Sequence, residues 1–208
     1  LASIRLLTDS ILQDESIDQA TAREFVGDIG EAADRLIHIS QELLELNRLD
    51  EGRIIPQEPV DMNRQAKMLC RLLSPLAESA QVTLETDLGE GCVARCNSED
   101  ASQILRNLME NAIKYNVPGG QVLVTTRRQG ERVSLSVADT GVGIPQEDMP
   151  RIFERFYRVD KSRSKATGGT GLGLAIVKHI ARIHNARIKL DSVVDEGTTI
   201  TVIFETAS

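Results

Sequence analysis

A glycine-rich stretch leads directly into one of the predicted helices. Residues 168–180 read GGTGLGLAIVKHI, with glycine at four of the first six positions and an amphipathic run behind them. Glycine loses the most backbone freedom on ordering, yet without a side chain it lets amides at a helix N-terminus converge on phosphate oxygens. The stretch lacks the Lys-Ser or Lys-Thr of a Walker A loop, and Leu174 stands where a dinucleotide fingerprint needs its third glycine. We therefore expect an anion site of another type.

Two asparagines on one predicted helix face form a second candidate. Asn107 and Asn111 stand four residues apart in NLMENAIKY, and Lys114 and Tyr115 continue the same side. Asparagine is unfavourable inside a helix because its amide competes for backbone hydrogen bonds. The pattern indicates an oxygen ligand for a hard cation, beside an ammonium that faces phosphate. A solvated helix face is the alternative.

A third candidate lies where a predicted strand ends, in ADTGVGIP at residues 138–145. The Asp139 carboxylate can accept a hydrogen bond from an exocyclic amine such as that of adenine, and Gly141 and Gly143 permit close backbone approach. An ordinary Asx-turn at the strand exit explains Asp139 equally well.

A polar, basic segment separates the second and third motifs from the glycine-rich one. YRVDKSRSKATGG, at residues 157–169, contains Arg158, Lys161, Arg163 and Lys165 and has little capacity to pack. This composition predicts a mobile basic lid over an anionic ligand. Phenylalanines just before it would anchor the hinge, although core filling explains them as well.

Composition limits the classes of function. The 208 residues are 41% hydrophobic and 26% charged, as in an ordinary globular protein, and tryptophan is absent. The net charge of −7 argues against a general affinity for nucleic acid. An odd number of cysteines fits a reducing compartment, and a metal site at Cys92 and Cys96 is disfavoured because no second pair stands at zinc spacing. No apolar run approaches the length of a membrane span.

The first fifty residues predict two helices. After a helix at residues 1–13, apolar residues recur at alternating steps of four and three over three heptads. This seam consists of Phe25, Ile29, Ala32, Leu36, Ile39, Leu43 and Leu46. Its length favours an antiparallel hairpin that pairs with a second copy into a four-helix bundle, and packing on the chain's own second half is the alternative. Gly52, Pro56 and Pro59 then predict a linker.

The rest of the chain mixes helical and strand periods. Helices are predicted at 63–80, at 98–116 with Ser98 as N-cap, and at 171–184. Strands are predicted at 82–88 and 92–96, as a pair over 121–140, and as a second pair over 187–205. Neighbouring strand pairs with interspersed helices predict an α/β sandwich, with helices layered on one face of a mixed sheet.

Together these motifs resemble a known family. NLMENAIKY is similar to the N box, DTGVGIP to the G1 box, FERFYRVD to the F box and GGTGLGLAIVKHI to the G2 box of bacterial sensor histidine kinases. The resemblance is to their catalytic ATP-binding domain, of the GHKL (gyrase, chaperone, histidine kinase, MutL) superfamily and its Bergerat fold, and it spans residues 57–205. It implies an α+β chain, with a dimerisation and phosphotransfer hairpin at 1–54 and a catalytic domain at 55–208.

The resemblance also implies a role for each motif residue, with ATP and Mg²⁺ as cofactors. Asn111 would ligate Mg²⁺, and one protein ligand suffices because this ion keeps water and phosphate oxygens around it. Catalytic roles would fall to Asn111, Lys114 and Arg158. The nucleotide would be bound by Asn107, Asn111, Lys114, Tyr115, Asp139, Gly141, Gly143, Ile144, Arg158, Thr170, Gly171, Leu172 and Gly173. Within this set, Asp139 would select adenine and residues 170–173 would cap the phosphates.

The resemblance further implies that the phosphorylated histidine lies upstream of Leu1, so that none of His38, His179 and His184 is the phosphoacceptor. The chain is therefore expected to be a fragment. Its expected partners are a second copy, through the hairpin, and the receiver domain of a response regulator. It would face the cytoplasm, with any membrane anchor of the parent protein upstream.

Two other functions remain open at this stage. The first is another GHKL ATPase or an anti-sigma serine kinase, which the hairpin and FERFYRVD disfavour. The second is a catalytically idle adaptor that binds nucleotide only to set the geometry of a dimer. Intact Asn111, Lys114 and Asp139 argue against loss of catalysis.

Overall fold

The computed structural model describes residues 2–13, 17–50, 56–159 and 170–207. They belong to two compact units, Leu1–Arg48 and Leu49–Ser208. The predicted lid residues Lys161, Arg163 and Lys165 lie outside the described residues, as does Gly52.

The N-terminal unit consists of two helices, α1 at Ala2–Gln13 and α2 at Gln19–Asp50. Asp18 caps α2, because its Oδ1 accepts hydrogen bonds from the amides of Ala20 at 2.8 Å and Thr21 at 2.9 Å. These bonds stabilise the carboxylate and lower the pKa of Asp18. The predicted seam lies on α2; the side chains of Ile39, Leu43 and Leu46 are outside the described part.

The C-terminal unit contains a five-stranded mixed sheet. The strands of the whole unit, within its described residues, are β1 Glu58–Asp61, β2 Thr83–Leu88, β3 Val93–Cys96, β4 Gln121–Gln129, β5 Arg132–Asp139, β6 Arg187–Val193 and β7 Gly197–Glu205. The large sheet has the order β2-β4-β5-β7-β6, and β1 and β3 form a separate two-stranded sheet. The β2–β4 pair is parallel and the other neighbours are antiparallel, which confirms the predicted mixed sheet.

Within the described residues, three helices accompany the sheet: α3 at Met62–Ser79, α4 at Ser98–Lys114 and α5 at Gly173–Ile183. Alternate residues of the central strands are buried, as a sheet covered on one face requires. The core between helices and sheet is aliphatic, with Leu69, Ile104, Leu135 and Ile176 among its fully buried side chains, and Phe204 adds an aromatic ring. No helix in the described ranges is long and apolar enough to cross a membrane.

The structure corrects the predicted cap of α4. The side chain of Asn97, not that of Ser98, accepts hydrogen bonds from the amides of Glu99 at 2.9 Å and Asp100 at 3.2 Å. Asn97 has an extended backbone, which places its side-chain oxygen over the first turn. Ser98 is the first helical residue, and its hydroxyl instead accepts a hydrogen bond from Gln65 Nε2.

The predicted linker and the predicted start of the last helix also differ from the structure. The segment around Pro59, expected to be a linker, forms β1 and pairs antiparallel with β3, with Pro59 opposite Arg95. Proline is compatible with this position because an edge strand leaves some of its amides unpaired. The last helix begins at Gly173 rather than at 171, since Gly171 has a φ of +76° that a right-handed helix excludes.

Candidate functional site

The asparagine face of α4 contributes three half-buried side chains, those of Asn107, Asn111 and Lys114. Asn107 Nδ2 donates a hydrogen bond to the carbonyl of Gln103 at 3.0 Å, which leaves its Oδ1 facing away from that turn. The side-chain amide of Asn111 makes no hydrogen bond to any residue that the structure describes. Its oxygen is therefore available as a ligand for a cation.

Tyr115 ends this helix and leads towards the strand that carries Asp139. Lys114 Nζ lies 5.4 Å from the centroid of the Tyr115 ring, within the range of a cation–π contact. The ring is exposed, and the backbone carbonyl of Tyr115 accepts a hydrogen bond from the Val142 amide at 3.1 Å. The end of α4 is thus joined to the loop that follows β5.

Asp139 stands at the end of β5 with its two carboxylate oxygens in different situations. Oδ1 accepts hydrogen bonds from the amides of Gly141 at 2.9 Å and Thr198 at 3.3 Å. The first bond is an Asx-turn, so that interpretation holds for Oδ1. Oδ2 accepts none from the described residues. Burial raises the pKa of Asp139, and the two amides partly offset this effect. An oxygen in this position gains from any ligand that supplies a donor.

The two glycines after Asp139 are required by contacts inside the protein. A Cβ on Gly141 would lie 2.3 Å from the Tyr115 carbonyl oxygen. Gly143 has a φ of +66°, and a Cβ there would lie 2.1 Å from the Val193 carbonyl oxygen. Ile144 is held by its own amide, which donates to Ser192 Oγ at 2.8 Å. The loop is therefore fixed in shape, and the expected approach of a base to these glycines stays a prediction.

The residues on either side of the basic segment are joined by a backbone hydrogen bond. The Phe156 amide donates to the Gly171 carbonyl at 2.9 Å, and a Cβ on Gly171 would lie 2.9 Å from the Tyr157 carbonyl oxygen. Tyr157 donates its hydroxyl hydrogen to Asp148, while the Arg151 guanidinium lies 4.2 Å from the Tyr157 ring centroid. Half-buried Arg158 follows directly behind this joined pair.

The start of α5 faces the asparagine helix. The Leu172 amide donates to Thr170 Oγ1 at 3.2 Å, and α5 begins without a side-chain cap. A Cβ on Gly173 would lie 2.9 Å from Asn107 Oδ1, so only glycine permits this approach without a shift. Uncapped amides at a helix N-terminus carry partial positive charge and bind anions.

These contacts bring the three predicted motifs together around the C-terminal half of α4. Tyr115 connects it to the loop after Asp139, and Asn107 connects it to Gly173. The result is a site with a half-buried carboxylate at one end and cationic or amide groups at the other. Such a site suits a ligand that carries an amine at one end and phosphate at the other.

Comparison with known proteins identifies the family. The sequence model of the histidine kinase-, DNA gyrase B- and HSP90-like ATPases matches residues 96–208, which is more than half of the chain. The chain belongs to this ATPase family. The matched region includes α4, Asp139 and α5, and therefore every candidate site residue described above.

The relatives of this ATPase domain are sensor histidine kinases. The sensor-like histidine kinase SenX3 of Mycolicibacterium smegmatis is 36% identical over 203 residues, which are 97% of this chain and 53% of that protein. The signal transduction histidine-protein kinase ArlS of Staphylococcus aureus is 35% identical over 189 residues, 90% of this chain and 42% of that protein. The chain therefore spans about half the length of the curated relatives it matches.

Solved structures share the fold of this ATPase. Full-length ShkA, crystallised in complex with AMPPNP, has a TM-score of 0.76 and 26% identity over 99% of this chain and 43% of that one. The Acinetobacter baumannii histidine kinase AdeS also has a TM-score of 0.76, at 19% identity, over 99% of this chain and 94% of that one.

Sequence reasoning missed residues outside the motifs that hold the candidate site in place. Thr198 donates its amide to Asp139, and Ser192 accepts from Ile144. No sequence signal marks the Thr198 contact, because the contributing group is a backbone amide that any residue other than proline supplies. A buried pair formed by Asp100 and His184 was also missed.

The described part of this ATPase contains no group of three or more His, Cys, Asp or Glu side chains that could hold a metal ion. Burial, together with the nearby Asp100 and Glu58 carboxylates, raises the pKa of Cys96 to about 12. Asn111, by contrast, offers the neutral oxygen that Mg²⁺ accepts beside phosphate.

Proposed function

We propose that this chain is the catalytic part of a two-component sensor histidine kinase and binds Mg-ATP between α4 and the start of α5. The observation that carries this proposal is the approach of Gly173 to Asn107, which sets the uncapped start of α5 against the asparagine face. Membership of the ATPase family and the likeness to the AMPPNP complex of ShkA support it.

The adenine would bind next to β5. Its exocyclic amine would donate to Asp139 Oδ2, the oxygen that the described residues leave without a donor. Gly141, Gly143 and Ile144 would border the base, and the exposed Tyr115 ring would pack against the nucleotide. Because the loop is already fixed by hydrogen bonds, base binding would cost little ordering entropy.

The triphosphate would bind between the asparagine face of α4 and the start of α5. Asn111 would ligate Mg²⁺, Asn107 would help position the phosphates, and Lys114 and Arg158 would neutralise their charge. Thr170, Gly171, Leu172 and Gly173 would cap the phosphates through backbone amides. The basic segment would close over them when ATP binds.

The transferred group would be the γ-phosphoryl, passing to a histidine outside this sequence and then to an aspartate on a response regulator. Phosphoryl transfer asks the protein mainly for positioning and charge stabilisation, which the proposed contacts supply. The solved complex of the kinase ThkA with the response regulator protein TrrA motivates this choice of partner.

A homodimer would form through the helices of the N-terminal unit. Phe25, Ile29 and Ala32 are only half-buried within it, and Leu36 is 37% exposed. A second copy of the chain would bury these partly exposed apolar side chains and so stabilise the helices. The parent protein would carry its sensor and any membrane anchor outside this sequence, with this part in the cytoplasm.

Nucleotide binding can be tested directly with AMP-PNP and Mg²⁺ by isothermal titration calorimetry. We expect saturable heat and a raised melting temperature, and Asn111→Ala should abolish the contribution of Mg²⁺. Arg106→Ala, at an exposed position on the same helix, is the control and should bind normally. Neither heat nor a melting shift with the unmodified chain would refute the proposal.

The transfer step needs its own experiment. Incubation of this chain with γ-labelled ATP should leave no acid-labile label, because none of its three histidines is the proposed acceptor. Label recovered on His38 would contradict the assignment. A longer chain that binds ATP but never becomes phosphorylated would instead favour the idle adaptor.

A further inference from the structure

A buried hydrogen bond connects α4 to the residue that follows α5, at the end remote from the contact between Gly173 and Asn107. His184 follows α5 with its side chain fully buried, and its Nε2 lies 2.6 Å from Oδ2 of Asp100 in the first turn of α4. Because a carboxylate only accepts, Nε2 carries the hydrogen. The bond joins residues that are 84 positions apart in sequence.

The two helices therefore meet at two defined points and run in opposite directions. The C-terminal end of α5 meets the start of α4 at His184 and Asp100, while the start of α5 meets the middle of α4 at Gly173 and Asn107. A helix rises about 1.5 Å per residue, so these points stand roughly 16 Å apart along α5. A displacement at one end is transmitted along a rigid helix to the other.

Most of the side chains that α5 buries between these two points are apolar, with His179 as the polar exception, and apolar contacts do not fix the position along the axis in the same way. Ile176 and Ile180 of α5 are buried among apolar neighbours, where dispersion and the hydrophobic effect have little directional preference. A short hydrogen bond between buried groups has a narrow optimum in distance and angle. The hydrogen bond between Asp100 and His184 is therefore suited to fix the axial position of α5 relative to α4.

We propose that His184 and Asp100 are positioning residues for the phosphate site. Their bond holds α5 at the axial position where its start stands opposite Asn107. This inference rests on the proposed function, since it assigns the pair to the phosphate end of the nucleotide site. It predicts an effect on phosphate binding and none on the base, which Asp139 reads from the sheet.

The test compares two substitutions of similar polarity but different reach. Glutamine at 184 places its amide nitrogen near the position of Nε2 and keeps the donor, whereas asparagine is too short to do so. We expect His184→Asn to weaken ADP binding about tenfold, the worth of one such hydrogen bond, and His184→Gln to restore most of it. Adenosine affinity, measured by NMR titration, should stay within about twofold, because the base site does not depend on the bond.

Two further variants separate positioning from loss of stability. Val124→Ala removes buried volume from β4 and should lower the melting temperature while ADP affinity stays unchanged. Asp100→Glu keeps the charge but lengthens the side chain, and should weaken ADP while leaving adenosine unaffected. If the His184→Asn variant does not fold, Asp100→Glu still tests whether the bond positions α5.

The outcomes are distinct. Unchanged ADP affinity in His184→Asn and Asp100→Glu would overturn the inference, as would an equal loss for ADP and adenosine or failure of His184→Gln to restore binding. If the unmodified chain binds no ADP at all, the proposed function itself is wrong and the inference falls with it.

Discussion

Replacing Asp139 by asparagine tests the base site and its cost to stability in one variant. Asn keeps an oxygen for the amides of Gly141 and Thr198, so its NH₂ group takes the place of Oδ2. The NH₂ group of the new side chain then faces the exocyclic amine of adenine, and two hydrogen-bond donors cannot pair. Hydrogen bonds to charged groups are worth about 1.5–3 kcal/mol, so we expect ADP affinity to fall about 10- to 150-fold.

The same substitution should stabilise the protein without nucleotide. Burial raises the pKa of Asp139 in the folded state above its ordinary value of 3.8. Because the pKa is higher in the folded state, the carboxyl of Asp139 favours folding only while it is protonated. This contribution to the free energy of unfolding is fully present below the unfolded pKa and is lost as pH rises through the folded pKa. At neutral pH the ionised carboxylate therefore opposes folding. Asparagine removes this cost, and the difference in melting temperature should shrink as pH falls towards 3.8.

The assays are calorimetry with ADP at pH 7 and thermal unfolding over a pH series. Asp191→Asn, at an exposed carboxylate of β6, is the matched control and should change neither quantity. Unchanged ADP affinity in Asp139→Asn would refute adenine recognition by this residue. A lower melting temperature at pH 7 would refute the assignment of the pKa shift to burial.

Three other predictions concern stability and reactivity. Gly143→Ala should lower the free energy of unfolding in urea by about 2–4 kcal/mol, because a positive φ and a backbone collision both oppose a side chain there; a loss below 1 kcal/mol would contradict the close contact. Asn97→Ala should cost about 1 kcal/mol and Ser98→Ala clearly less, which thermal unfolding can rank; the reverse order would restore Ser98 as the cap. Cys96 should resist iodoacetamide at pH 8 until the protein is unfolded, since its thiol has a pKa of about 12; labelling of the folded chain, located by mass spectrometry, would show otherwise.

Periodicity was sufficient to predict most of the fold. The alternation in β4, β5 and β7 reflects a sheet with one buried face, and the spacing in α4 reflects a helix with one. It failed for β1, where four residues that include Pro59 are too few for a period to show. It also failed at the N-cap of α4, because Asn97 and Ser98 are both good capping residues and only backbone geometry distinguishes them.

The motifs of the candidate site could be predicted from the sequence, but the contacts that hold them in place could not. The motif sequences identified Asn111, Asp139 and Gly173, whose residue types suit the proposed ligand. The bond between Asp100 and His184 joins segments far apart in sequence. An acidic residue in the first turn of a helix is already explained by the helix dipole, so Asp100 gave no sign of a distant partner. The need for glycine at 143 comes from a carbonyl on β6, which no local pattern reveals.

The hydrogen bond between the Phe156 amide and the Gly171 carbonyl has a consequence for how this protein can vary. It joins residues 156 and 171 directly, so that the segment between them begins and ends at a fixed contact. Doubling the length of a flexible segment with fixed ends costs only about 0.6 kcal/mol of closure entropy. Insertions and deletions that spare Arg158 and Thr170 would leave the positions of Gly171 and Gly173 intact, so selection can change the length between Arg158 and Thr170 while the start of α5 stays where it is.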